Sequence, residues 1–165
     1  MTIAVDVQYA THHPELPTEA QLTGWVTKAL QAAQQGSGEI TIRLTSATEV
    51  QHLNLTYRGT DRPTNVLSFP ATADVPLTVP LLGDLVLSVE TVVAEAAEQN
   101  KDLMHHFTHL VVHGVLHLLG YDHMQAAEAR VMEELEVSIL AGLGIADPYH
   151  IEHNAGEQGD KQPHA

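Results

Sequence analysis

The sequence predicts an α+β fold: one domain with about four strands in a single mixed sheet, four to five helices packed against it, and a buried helix that carries histidines near the centre. Three observations lead there. Short alternating or continuous apolar segments are interleaved with segments of helical periodicity, in the order strand, helix, strand, helix, strand, strand, helix, helix, helix. Clusters of Gly, Pro, Asn and Asp punctuate them. The most apolar segment, from Asp102 to Leu119, is itself interrupted by histidines.

TIAVDVQY, residues 2–9, alternates as a first strand does. After the loop THHPELP, Thr18 can cap a helix that runs to Gln35, and Gly36-Ser37-Gly38 ends it. EITIRLT, 39–45, alternates strictly and is the second strand. Ser46 followed by Glu49 has capping-box spacing and opens a helix to about Tyr57. RGTDRPTN, 58–65, is a loop by composition, and VLSF, 66–69, is a short buried strand. Three prolines between Pro70 and Leu82 mark an irregular connection into the strand GDLVLS, 83–88. Helices follow from Ser88 to about Asn100, from Asp102 to Leu119, and from Gln125 to Leu140. The domain is expected to span residues 1–148, with a polar, mobile tail over 149–165.

A chain of 165 residues with 44% hydrophobic content is long enough for one domain with a sizeable core. The N-terminus has no basic segment followed by an apolar one, and the apolar run 110–119 is too short and too polar to span a bilayer. The expectation is a cytoplasmic protein with no membrane partner. With no cysteine, any metal must be held by histidine and carboxylate, and twelve histidines make that feasible. The net charge of −14 disfavours a general nucleic-acid binder. Arg43, Arg58 and Arg62 nevertheless fall in the middle of the chain, while Glu128, Glu133, Glu134 and Glu136 crowd a later helix, so a local positive site stays open.

On a helix, Asp102, His106, His109, His113 and His117 fall within a stripe about 80° wide, while nearly every other position from 103 to 119 is apolar. A helix apolar around most of its girth is buried, so its polar seam must face a cavity, a cleft or an ion. His113 and His117 are one turn apart, roughly 6 Å, and can converge on one metal; His109 and His117, about 12 Å apart, cannot. Gly120 suits the left-handed position that stops the helix. Tyr121-Asp122 can then turn His123 back to the same centre. Three imidazoles plus a water make an open site of the catalytic type.

H-x-x-x-H-x-x-G-x-x-H is also the spacing of metzincin peptidases, but those need a Glu general base directly after the first histidine. Gly114 stands there, which counts against peptide hydrolysis.

Two blocks, LNLTYRGTDRPTNVLSFP at 53–70 and HGVLHLLGYDH at 113–123, with GDLVLS between them, make the chain resemble the YbeY family of bacterial metal-dependent endoribonucleases. The resemblance implies one zinc ion per chain bound by His113, His117 and His123, with Arg58 as the functional arginine. It further implies hydrolysis of single-stranded rRNA on the small ribosomal subunit, in maturation of the 3′ end of 16S rRNA and in ribosome quality control. A metal centre that acidifies water and a guanidinium that grips phosphate suit phosphodiester chemistry.

Plainer readings stand beside these. Asp84 and Asp122 are candidates for ordering a ligand imidazole by a hydrogen bond, with cap or turn roles equally open. Arg62 reads as an ordinary surface charge as readily as a binding one. His105, His106 and His109 could extend the cavity but read most simply as solvated near a helix end; His150, His153 and His164 read as solvated in the tail, able to attract stray metal, and the acidic 125–140 helix as a solvated face. The rival functions are a ribosome assembly factor whose metal only holds the fold and a metzincin-like metallopeptidase. The acidic charge also suggests that a ribosomal or assembly protein brings the enzyme to its RNA.

Overall fold

A computed structural model describes residues 2–71, 80–121 and 125–149. Its elements follow the order β1 (Ile3–Tyr9), α1 (Glu19–Ala32), β2 (Gly38–Thr45), α2 (Ala47–Arg58), β3 (Val66–Pro70), β4 (Leu81–Ser88), α3 (Val89–Glu98), α4 (Leu103–Leu118) and α5 (Ala126–Gly142). The four strands form one mixed sheet in the order β1-β2-β4-β3. β1, β2 and β4 run parallel, and β3 lies antiparallel on β4 at the edge, with Ser68 opposite Leu85 and Phe69 opposite Asp84. The expected α+β class and mixed sheet are both found.

Local chemistry places the helix starts where the sequence puts them. Thr18, Ser46, Ser88 and Asp102 each accept a backbone N–H three residues on, satisfying one of the four donors a helix start leaves open. The reciprocal capping box, however, forms at Thr18 with Gln21 and not at Ser46. Glu49 leaves that role because its carboxylate is drawn to the Arg43 guanidinium, whose Nη2 donates to it at 2.9 Å. This pair is about one-third exposed on each side, and solvent screening keeps its contribution small, below about 1 kcal/mol.

Helix ends shift by two or three residues from the expectation in α1, α3 and α5, and one strand start moves as well. α1 stops at Ala32, and the chain turns through Gln34 at φ 61°. β4 begins at Leu81, two residues earlier than the proline-rich approach suggests. Gly83 allows this: it has φ 140°, and a Cβ there would lie 2.2 Å from the Phe69 carbonyl oxygen, so only glycine lets the two strands come together.

Strand alternation sorts the core. Leu85 and Leu87 join Ile40, Ile42 and Leu44 in the main cluster, where α1 contributes Leu22, Val26 and Leu30 and α4 contributes Phe107, Leu110, Val111 and Leu116. Val86 and Leu67 point to the opposite face and meet Val50 of α2. Thus α4 lies against one face of the sheet and α2 against the other. Twelve of the sixteen residues of α4 are buried, so its histidines must find partners inside the protein. Among the described residues, no helix is long and apolar enough to cross a membrane.

Candidate metal centre

The C-terminal end of α4 forms as its residues dictate. Gly120 takes φ 99°, the Gly120 N–H donates to the His117 carbonyl at 3.0 Å, and the Tyr121 N–H donates to the Leu116 carbonyl at 3.0 Å. This is the left-handed glycine stop expected of the sequence. It ends the helix one turn after His113 and leaves His117 in the last turn.

The imidazoles of His106, His109, His113 and His117 form a continuous seam. Consecutive ring centroids are 6.5, 6.2 and 4.7 Å apart, the shortest separation being between His113 and His117. The Nε2 atoms of His113 and His117 are buried. Two imidazoles one turn apart, one buried and one half-buried, converging to 4.7 Å, fit the donor set that a zinc-type ion takes. His123 and Asp122, the other sequence candidates here, lie outside the described residues.

Carboxylates from two other helices complete the seam. His106 Nε2 is 2.9 Å from Glu95 Oε1 of α3, which also accepts from Asn65 Nδ2 at 3.1 Å. Further along, a single oxygen, Glu136 Oε1 of α5, lies 3.0 Å from His109 Nε2 and 3.0 Å from His113 Nδ1. The Tyr149 hydroxyl donates to the same oxygen at 3.2 Å. His106 and His109 are therefore buried and bonded, against the solvated reading; His105 alone of that group is exposed.

Burial works against a charge on Glu136, but the hydrogen bonds from His109 and His113 more than offset it and bring its carboxyl down to about 2. Burial also pushes His109 below its ordinary value, which favours the neutral ring. An ionised carboxylate can only accept, so both rings donate to it.

Among the described residues, His109, His113 and Glu136 make a buried group whose potential ligand atoms all lie within 4.8 Å of one another. These donors are able to hold a metal ion. Their 3.0 Å spacings, and a third donor on the same oxygen, are nonetheless those of hydrogen bonds. Glu136 itself was hidden in a run of acidic residues. The signal that finds it is its place on the apolar stripe of α5, four residues after buried Met132 and four before buried Leu140. Tyr149, which the sequence assigns to the tail, is buried and completes the cluster.

The remaining candidates separate clearly. Arg58, at the end of α2, is exposed; its Nη2 donates to the Ser68 carbonyl at 2.8 Å and its guanidinium lies 5.8 Å from the Phe69 ring centroid. Ser68 Oγ in turn donates to the Gly114 carbonyl at 3.5 Å, so β3 links the arginine to the histidine helix. Asp84 is exposed on the face of β4 that carries Val86, opposite the face where Leu85 meets α4, so strand alternation turns it away from the imidazoles. Arg43 is committed to Glu49. Arg62 is exposed, and its carbonyl accepts from Asn54 Nδ2 at 2.9 Å.

Gly114 has a packing reason to be glycine. A Cβ there would lie 2.7 Å from Leu85 Cδ2, so the helix sits on the sheet through this position. The residue after His113 faces the core and has no room for the glutamate a metzincin needs. Gly114→Ala is expected to destabilise the protein by about 1–3 kcal/mol through overpacking, read from a denaturant midpoint. An unchanged midpoint would show that Leu85 yields freely.

A solved structure from Thermotoga maritima, the solution structure of TM1509, matches over 96% of this chain and 97% of its own at a TM-score of 0.53 and 23% identity, and it shares the fold. The family model described as endoribonuclease YbeY matches residues 6–144, which contain every element from β2 to α5 and the whole histidine seam. The chain belongs to the YbeY endoribonuclease family.

Proposed function

We propose that the protein is a zinc-dependent, single-strand-specific endoribonuclease of the cytoplasm that matures the 3′ end of 16S rRNA on the small ribosomal subunit and serves ribosome quality control. The observation that carries the metal half of this reading is the pairing of buried His113 with half-buried His117 at 4.7 Å, with His113 held by Glu136. Family membership carries the RNA half.

His113, His117 and His123 would hold one zinc ion, which supplies Lewis-acid activation of water and of a phosphoryl oxygen when bound. The chain's own residues do the rest. Arg58 is exposed at the end of α2, tethered by the Ser68 carbonyl, and offers its remaining N–H donors to a phosphate. The apolar residues of α4 bury His106, His109 and His113, which strengthens charge interactions around those rings.

The net charge of −14 favours one second reading, a ribosome assembly factor with little nuclease activity of its own. It also motivates the partner: a ribosomal or assembly protein that delivers the acidic enzyme to its RNA. Zinc-restored protein is to be presented with a single-stranded RNA spanning the precursor 3′ end, the same RNA as a duplex, the matching DNA and a peptide library, each free and with isolated small subunits. The reading expects cleavage of the single strand alone, faster when it is presented on the subunit. Cleavage of peptides, or no cleavage in either setting, would overturn it.

A further inference from the structure

We propose that Glu136 is a positioning residue for the metal centre: by accepting a hydrogen bond from His113 Nδ1, it holds this imidazole in the Nδ1–H tautomer and so commits Nε2 to the metal. The inference rests on His113 and His117 being ligands.

Three observations carry it. Glu136 is fully buried on the apolar stripe of α5, a costly place for a charge unless it is needed and partnered. Its Oε1 sits 3.0 Å from Nδ1, not Nε2, of His113, so the atom available for coordination is decided by which ring nitrogen the carboxylate occupies. The same oxygen also receives His109 Nε2 at 3.0 Å and the Tyr149 hydroxyl at 3.2 Å, which pins the carboxylate from two further sides. A metal-bound imidazole whose other N–H is given to a carboxylate is better oriented and more basic than a free one.

Glu136 is not itself the metal ligand in this account. Three donors crowd Oε1 at hydrogen-bond distances, so its lone pairs are directed at protons. His109 then acts on Glu136 from the second side, and Tyr149 ties the carboxylate to the segment that follows α5.

The test uses full-length protein and the near-isosteric Glu136→Gln, which keeps the volume and an accepting oxygen. Long-range 1H–15N correlation spectra of metal-free protein read the His113 tautomer, and chelator competition reads zinc affinity. Cadmium-113 loading then reads, through its coupling, which ring nitrogen of His113 is bound. Wild-type His113 is expected in the Nδ1–H form without metal and bound through Nε2 with it. In Glu136→Gln, both tautomers are expected, with zinc affinity reduced about 10–100-fold.

A folded Glu136→Gln with an unchanged tautomer and unchanged affinity overturns the proposal, because loss of packing alone would lower the melting temperature and leave both readouts in place. Coupling to Nδ1 of His113 overturns it too and makes Glu136 a ligand. Wild-type protein that binds metal without His113 overturns the ligand reading under Proposed function as well, while the metal-free tautomer still reports separately on what Glu136 does to the ring.

Discussion

His117→Ala is expected to weaken zinc binding by roughly 10³-fold and to remove RNA cleavage at ordinary zinc concentrations, while the protein stays folded. A zinc site with several protein ligands draws on the order of 10–16 kcal/mol from them together, so one ligand of three accounts for about 4 kcal/mol, equivalent to that factor. Folding should survive because His117 sits in the last turn of α4 and is half-buried, whereas the core-forming side of that helix is Phe107, Leu110, Val111 and Leu116. His105→Ala, an exposed change on the first turn, is the matching control and should leave affinity and activity unaltered. Chelator competition and a thermal melt separate the two effects. A His117→Ala protein that retains wild-type affinity would remove His117 from the ligand set.

The second large effect is expected at Arg58. Arg58→Ala should lower kcat/KM for single-stranded RNA by about 10²–10³-fold, the usual cost of losing one positioned donor to developing charge. Zinc affinity and melting temperature should not change, because Arg58 is exposed and its described contacts are one hydrogen bond to the Ser68 carbonyl and the face of Phe69. Arg58→Lys keeps the charge but loses the planar fork that binds phosphate bidentately, and it should recover only part of the rate. Full activity in Arg58→Ala would return this side chain to ordinary surface charge.

Much of this architecture was legible in the sequence because it is written locally. Hydroxyl and acidic caps mark helix starts, Gly120 marks the end of α4, and alternation in 39–45 marks β2. The buried histidine helix was legible for the same reason, since its seam is a property of 3.6-residue periodicity within one segment. The partners of that seam are not local. Glu136 lies 23 residues beyond His113 and Glu95 lies 11 before His106. No spacing rule within α4 points to either, and Glu136 was absorbed into an acidic helix that looks solvated. The sheet order β1-β2-β4-β3 is similarly silent in the sequence, because short apolar strands do not say which neighbour they pair with.

Asp84 shows how a one-residue alternation decides a candidate. It precedes Leu85, whose side chain meets Gly114 beside His113, and the pleat sends its own carboxylate to the other face. The carboxylate that does meet His113 Nδ1, at 3.0 Å, is Glu136, from a helix that carried no such expectation.

The central claim is that RNA cleavage depends on a metal held by the α4 histidines and on Arg58. Its most direct test is cleavage of a single-stranded RNA spanning the 3′ end of the small-subunit precursor, followed in parallel for metal-stripped protein, zinc-restored protein and zinc-restored Arg58→Ala. The account predicts cleavage by the zinc-restored wild type, none by the metal-stripped protein and about 10²–10³-fold slower cleavage by Arg58→Ala; equal cleavage, or equal absence of it, in all three would contradict the account.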